Sequence, residues 1–439
     1  MTAALLFIYQ VGLALFGLVY LPGRFLSGRR LDGIGQRLGR YSPPILERFS
    51  SQPRPVWIHM VSVGEVMAAQ ELIRRLRDRL PGVPWVVTTT TPTGQEMARR
   101  LLSSETDTAL YLPWDLTAAV RRAVRLIRPC LFICFETELW PVLFRELQRE
   151  GVPIVIVNGR ISQKAYRRYL WVRFFMTAAL KPVRLFLAQS AEDARRFAGL
   201  GASKDRIVVT GNVKWDLKTA ASGSANGGPD WRGLFGFTGK EILWTAGSTH
   251  PGEEKVILES YRQIRQEQPV LRLLIAPRHP ERVPEVEKEA AALGLATVRR
   301  SRLETGSRDA GQEAKPVILL DTIGELPSVY GASDIVFVGG SLVPKGGHNF
   351  VEPALLSRPI LTGPHVQNFE EMARQLLQAG GLTMVGNADE LNRKVRQLAQ
   401  DPALRSECGR RAYSVIRQNE GAAAKTVELI LKITGGGGA

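Results

Sequence analysis

The run Gly339-Gly340-Ser341-Leu342-Val343-Pro344-Lys345-Gly346-Gly347-His348-Asn349-Phe350-Val351-Glu352-Pro353 collects the residue types that hold a polar ligand. Its glycines let backbone N–H groups approach a ligand with no Cβ in the way. Asn349 can cap a helix or hold a ligand. Glu352, within one turn of it, can accept two hydroxyl protons of the kind a ribose diol offers. The same composition also describes a glycine-rich turn with a capping Asn, and the stretch alone leaves both readings open.

Other segments carry groups suited to a nucleotide. Ser248, in Gly247-Ser248-Thr249-His250-Pro251-Gly252-Glu253-Glu254, is a cap-competent hydroxyl before a proline and early acids, which is equally an ordinary helix start. Arg278, in Pro277-Arg278-His279-Pro280, offers a planar donor fork that matches a phosphate. Gly324, Glu325 and Leu326 open a helix whose free amides attract a phosphate. Glu65 follows Ser62-Val63-Gly64 at another helix start, where a carboxylate suits the helix dipole or serves as a general base. Glu136 and Glu138 flank Thr137. Alternate residues point different ways, so one is expected to turn inward and the other to cap the next helix.

The elements that carry these groups are short apolar runs alternating with amphipathic stretches, the pattern of parallel sheets covered on both faces. Strands are predicted over 56–61, 84–90, 109–112, 131–135, 153–157, 185–188 and 207–210, and again over 241–246, 271–276, 317–320, 335–338 and 359–362. Helices are predicted over 66–80, 116–127, 140–150, 252–266, 285–293 and 370–379. His59, His250, His279 and His348, four of the five histidines, fall at strand ends, a distribution not expected of scattered core histidines. The stretch 219–229, rich in Ala, Ser, Gly and Asn, has too little apolar surface to pack and reads as a linker or mobile loop. Two doubly wound domains result, with ligand sites at the carboxyl ends of their strands and a cleft between them.

Residues 1–22 carry no charged side chain, and 3–21 are nearly all apolar, close to the length of a spanning helix. Arg24, Arg29, Arg30, Arg37 and Arg40 follow at once, which predicts an uncleaved anchor with a cytoplasmic catalytic body; a helix lying in the interface or on the protein is the competing reading. The segment 160–184 holds Arg160, Lys164, Arg167, Arg168, Arg173, Lys181 and Arg184 with no acid, interleaved with five aromatics, and suits a membrane surface or a phosphorylated lipid better than nucleic acid. The 439 residues with a net charge of +16 point to several domains and an anionic partner. The three cysteines form no metal-ligand spacing and fit a reducing compartment.

Taken in order, these motifs resemble those of the 3-deoxy-D-manno-octulosonic acid (Kdo) transferases of Gram-negative lipopolysaccharide synthesis. The likeness runs through Ser62-Val63-Gly64-Glu65, Glu136-Thr137-Glu138-Leu139-Trp140-Pro141, Asn158-Gly159-Arg160-Ile161-Ser162, Gly211-Asn212-Val213-Lys214, Gly247-Ser248-Thr249-His250, Pro277-Arg278-His279-Pro280, Gly324-Glu325-Leu326 and Gly346-Gly347-His348-Asn349 with Glu352-Pro353. The resemblance implies an α/β fold of GT-B type, with two Rossmann-like domains facing a cleft and an N-terminal membrane-anchor helix. It implies inverting transfer of Kdo from CMP-Kdo to lipid IVA, the lipid A precursor, at the cytoplasmic face of the inner membrane, with no cofactor, no required metal and no nucleic acid.

Carried onto this chain, the resemblance makes Glu65 the base. Ser248, Arg278, His279, Gly324, Glu325, Leu326, Asn349 and Glu352 become the donor site, and Glu136, Glu138, Arg160, Lys214, Arg167 and Arg168 contacts to sugar or acceptor. The domains expected are an anchor over 1–22, an acceptor-binding domain over 23–216, a linker over 217–240, a CMP-Kdo-binding domain over 241–420, and a C-terminal helix and glycine tail over 421–439. Two other functions compete: a UDP-sugar transferase or epimerase of the same fold, and an inert scaffold that binds phosphorylated lipid.

Overall fold

The computed structural model describes residues 6–13, 15, 32–102, 104, 106–216, 229–303 and 316–435. The chain forms two compact units, Met1–Leu217 with Glu420–Ala439, and Lys218–Asn419.

The first unit is built on a parallel sheet of β1 (Val56–His59), β2 (Trp85–Thr89), β3 (Thr108–Tyr111), β4 (Leu131–Phe135), β5 (Ile154–Gly159), β6 (Leu185–Ala188) and β7 (Ile207–Val209), in the order β3-β2-β1-β4-β5-β6-β7. Every residue of β1, β2, β4 and β5 is buried, as runs such as Val-Trp-Ile-His and Leu-Phe-Ile-Cys-Phe require. Alternate side chains go to opposite faces. Trp57, Phe132, Phe144 and Phe186 pack on one, and Ile58, Leu72, Trp85 and Ile133 on the other. Each large apolar side chain so buried contributes about 1.5–3 kcal/mol. From β1 the chain works outward through β2 and β3, then returns to the other side of β1 as β4. The carboxyl ends of β1 and β4 therefore form a topological switch point, where open α/β sheets take ligands.

The helix Ala422–Gly435 belongs to this unit. Ala423, Val427 and Ile430 complete the core beside Val213, and the Asp216 carboxylate accepts the N–H groups of Gly421 and Ala423 at its start. Residues 6–13 are helical and also lie on the first unit. Leu6 is buried there, the Tyr9 ring meets Phe175, the Tyr9 hydroxyl donates to Asp115, and the Gln10 side-chain oxygen accepts from both the N–H and the hydroxyl of Thr117. Within the expected spanning anchor over 1–22, residues 6–13 form a helix with side chains packed on the first unit. Among the described residues no helix is long and apolar enough to cross a membrane. The rest of that expectation falls on residues 1–5, 14 and 16–22, outside the described residues.

The second unit repeats the design with β8 (Ile242–Thr249), β9 (Leu271–Pro277), β10 (Thr297–Arg299), β11 (Val317–Leu319), β12 (Ile335–Val338), β13 (Ile360–Thr362) and β14 (Leu382–Met384), all parallel, in the order β10-β11-β9-β8-β12-β13-β14. Here the switch point lies between β8 and β12, where Gly247 pairs with Val338. The three-residue strands β10 and β14 had no sequence signal. Residues 217–228 of the expected linker lie outside the described residues. Its end, 229–240, is structured: Asp230 caps the helix Trp231–Leu234, and Trp231 and Phe235 are buried beside Leu243, Leu274 and Ile318, because two large aromatics so close together cannot be left in water cheaply.

Candidate active site

At the switch point of the first sheet, β1 runs through Val61 and Ser62 into the helix Val63–Arg79, which holds Glu65 in its first turn. The Glu65 carboxylate folds back on that turn. Oε2 accepts the Val61 N–H at 2.8 Å and Oε1 the Ser62 hydroxyl at 3.2 Å. Burial pushes the carboxyl up to about 7; those two donors oppose the shift, and Glu136 and Glu138 reinforce it. A carboxyl poised there is part ionised at neutral pH and takes a proton readily, as a general base must.

Glu136 and Glu138 both stand on this side of β4. Glu138 is itself pushed up to about 7, by burial first and then by Glu136. The expectation that one of the pair caps the next helix does not hold. The helix Pro141–Arg149 is capped instead by Asp115, whose two oxygens accept the N–H groups of Val142 and Leu143. Glu136 has a φ of 57°, a left-handed conformation that costs a residue with a Cβ on the order of 1 kcal/mol, and its carboxylate meets Lys214 Nζ at 3.2 Å. Lys214 is delivered by a loop fastened to Asn158, whose side-chain oxygen accepts the Val213 N–H at 3.0 Å.

Arg160 is held by a two-way exchange, its N–H donating to the Thr137 hydroxyl at 3.0 Å and its carbonyl accepting from the same hydroxyl at 2.5 Å. Glu136, Thr137, Arg160, Ser162 and Tyr169 line a hollow of about 200 Å3. Arg167 and Arg168 do not line it; they lie on the exposed side of the helix Gln163–Trp171. Of the five aromatics in that segment, Tyr166, Tyr169 and Phe175 pack against the core, whereas Trp171 is 92% and Phe174 72% exposed. His59 ends β1, where the sequence places it, but it is fully buried there rather than open to a ligand. Its Nδ1 lies 3.1 Å from both oxygens of Thr88, and burial pushes it down to about 4.

In the second sheet the switch point is closed by a residue the sequence reading passed over as a helix-start acid. Glu253 is fully buried, and its carboxylate accepts four backbone N–H groups: His250 and Gly340 on Oε2 at 2.9 and 2.7 Å, Ser341 and Leu342 on Oε1 at 2.9 and 2.8 Å. It binds the loop after β8 to the loop after β12. Gly340 has a φ of 68°, and its lack of a Cβ leaves space for the His348 ring, which a methyl group would approach to 3.0 Å. His348 meets His250, with Nε2 atoms 2.9 Å apart, and the ring of His279 stands 6.2 Å from that of His250.

Ser248, at a φ of 57°, sits at the same junction, and the Arg278 N–H is tied to the Thr249 carbonyl at 2.9 Å with its side chain exposed. Asn349 accepts the Val351 N–H at 2.9 Å and donates to Glu352 at 3.3 Å, so it both shapes the turn and orients the acid. Burial pushes the Glu352 carboxyl up to about 7 against that donor. Gly324, at a φ of 89°, leads into Glu325 and the helix Leu326–Ala332. The Glu325 carboxylate is taken up by Arg300 at 3.0 Å and by the Thr322 hydroxyl, so its side chain faces protein. Among the described residues no three His, Cys, Asp or Glu side chains are grouped to hold a metal ion.

Two parallel α/β units of this kind define a glycosyltransferase-like architecture of the GT-B type. Solved structures agree on the fold. A UDP-N-acetylglucosamine 2-epimerase from Neisseria meningitidis matches with a TM-score of 0.56 at 13% identity, covering 86% of this chain and all of that one. A glycosyltransferase from Rickettsia africae matches with a TM-score of 0.53 at 12% identity, covering 88% and 100%. The family model for 3-deoxy-D-manno-octulosonic-acid transferase (kdotransferase) matches residues 32–217. The chain is 36% identical over 399 residues to the 3-deoxy-D-manno-octulosonic acid transferase of Haemophilus influenzae, covering 89% of this chain and 91% of the relative, and 33% identical over 383 residues to that of Bordetella pertussis, covering 86% of each. The chain belongs to the 3-deoxy-D-manno-octulosonic acid transferase family.

Proposed function

We propose that this chain transfers Kdo from CMP-Kdo to lipid IVA, with inversion at the anomeric carbon and Glu65 as the base. The observation that carries this reading is the Glu65 carboxyl itself, raised to about 7 and fixed by the Val61 N–H at a sheet switch point. Glu65 takes the proton of the acceptor hydroxyl, the hydroxyl oxygen forms its bond to the anomeric carbon, and the bond from that carbon to the CMP phosphate breaks with its electron pair on the phosphate. The second unit holds the donor: Glu352, oriented by Asn349, accepts from the ribose hydroxyls, and Arg278, Ser248, His279 and the turn 324–326 face the phosphate and sugar. Glu136, Glu138, Arg160 and Lys214 serve the acceptor or the Kdo, and Arg167 and Arg168 the acceptor's phosphates.

The test is a mass-spectrometric assay of the purified protein with CMP-Kdo and lipid IVA in detergent, chelator present. Lipid IVA is expected to gain Kdo mass. Binding of CMP without any gain on lipid IVA overturns the acceptor assignment, and failure to bind CMP overturns the donor.

The same reading puts the protein on the cytoplasmic face of the inner membrane. It is supported by Phe7, Ile8, Val11 and Leu15 on one exposed surface and Leu170, Trp171, Val172 and Phe174 on another, the two sets joined through the contact of Tyr9 with Phe175 and interspersed with Arg167, Arg168 and Arg173. Apolar side chains at that exposure, bordered by cations, suit the headgroup layer of an anionic bilayer. Vesicles with and without anionic lipid provide the test: sedimentation with the anionic ones is expected, and none with either kind overturns the assignment.

A further inference from the structure

His250 leaves β8 and His348 lies in the loop after β12, so the two rings face each other across the switch point of the second sheet. Their planes are parallel to within 1°, and their Nε2 atoms are 2.9 Å apart. At that separation two bare lone pairs would repel and two N–H groups would collide, so one ring donates a proton to the other. Neither Nδ1 has a protein partner among the described residues. The couple can therefore accept one further proton, on the Nδ1 of the donating ring, and keep its N–H···N bond. A second would have to displace that bond. The pair is a device with two charge states, neutral and +1.

Its surroundings decide which state is held. His250 faces Glu253, His279, Lys345 and Arg278; His348 faces His250, Arg278 and His279. The one acid among these, Glu253, has both oxygens engaged by backbone N–H groups. Burial first pushes both rings below the ordinary imidazole range; Glu253 opposes that shift on His250, whereas His279, Lys345 and Arg278 add to it, and His250, Arg278 and His279 add to it on His348, which falls to about 4. Without ligand the couple is neutral at pH 7. An anion placed beside Arg278 and Lys345 changes the sign of that field.

We propose that the His250–His348 couple takes up one proton when the donor's phosphoryl group binds, so that an imidazolium N–H faces the phosphate that leaves. The proposal rests on the donor-site reading above. As the bond from the anomeric carbon to the phosphate oxygen breaks, the electron pair goes to that oxygen. The imidazolium proton is then shared with it or passes to it, which returns the couple to its neutral state when CMP departs. The acceptor's own proton has gone to Glu65, so the count closes. Both histidines are charge-supplying groups of the second unit, and Gly340, with no Cβ to crowd the His348 ring, is the residue that lets them meet end to end.

The experiment is calorimetric titration of CMP at pH 7 in buffers of different ionisation enthalpy, on wild type, His250→Gln and His348→Gln. Wild type is expected to take up at least half a proton more than either variant; CMP's own titration is common to all three and cancels. Wild-type affinity should also fall by up to roughly tenfold per pH unit on the alkaline side, and the variants' should not. Nitrogen-15 spectra of histidine-labelled wild type, needing no variant, should show one ring of the couple becoming imidazolium on adding CMP. Equal proton uptake in all three proteins, or neutral rings in the CMP complex, overturns the proposal and leaves the donor site standing. If wild type does not bind CMP, the donor-site reading falls and this proposal with it.

Discussion

Glu136 and Lys214, from different strand ends of the first sheet, form an ion pair at 3.2 Å beside the carboxyl that Glu136 helps to raise. Lys214 offsets the negative charge that Glu65 would otherwise feel in full. The acid limb of kcat/KM should therefore lie near pH 7, where Glu65 loses its proton. Lys214→Met should move that limb to higher pH and Glu136→Gln to lower pH. A pH–rate series on the three proteins measures it, and a limb that stays put in both variants removes the electrostatic link.

Glu65→Gln keeps the shape of the side chain and removes the base. Transfer should fall by roughly 10²–10⁴, the usual worth of general base catalysis, while CMP binding by the other unit is retained. Full transfer by this variant, measured by mass spectrometry of the acceptor, takes the base role from Glu65.

The raised carboxyls also set the pH dependence of stability. Glu65, Glu138 and Glu352 hold their protons to about 7 in the folded chain, above the 4.5 of an ordinary glutamate. The folded state thus favours their protonated form. That stability is fully present below pH 4.5 and is lost as pH rises through about 7. Glu138→Gln should leave thermal unfolding nearly unchanged at pH 4 and raise stability at pH 8 by up to about 3 kcal/mol. Equal effects at both pH values would contradict the sign.

Glu253→Gln tests the clamp between the loops after β8 and β12. A glutamine presents one acceptor and one NH2 group to four N–H donors, so at least one donor is left facing another. Loss of about 2–4 kcal/mol of stability is expected, with weaker CMP binding because Gly340 and Ser341 are no longer held. Unchanged melting and unchanged CMP affinity would show the clamp to be dispensable.

Charge reversal at Arg167 and Arg168 separates the two substrates. Because these side chains lie on an exposed helix face of the first unit, Arg167→Glu with Arg168→Glu should raise the KM for the lipid acceptor severalfold and leave CMP affinity as it was. Equal losses on both would refute an acceptor role.

The two sheets could be read from runs such as Leu-Phe-Ile-Cys-Phe because buried parallel strands are apolar on both faces. Thr297-Val298-Arg299 could not, being short and only partly buried. The site was legible as a set of strand ends, including both His250 and His348. Their pairing was not, because it depends on β12 lying next to β8, a matter of topology and not of local pattern. Nor was the backbone at Glu136, Asn158 and Ser248, three of the five non-glycine residues with positive φ among those described; without a glycine, no letter marks the turn. Asp115 was missed as a cap because it lies far in the chain from the helix it serves.

The return of the helix Ala422–Gly435 to the first unit sets an order of events during synthesis. Everything the second unit needs, Lys218–Asn419, is one unbroken segment that emerges before the final helix. The first unit begins emerging earlier, yet the side of its core formed by the helix Val63–Arg79 and Val213 lacks its last layer until Ala423, Val427 and Ile430 arrive. The unit that starts first therefore finishes last, and a nascent chain stalled before residue 421 would hold a complete second unit and a first unit with an open, aggregation-prone flank.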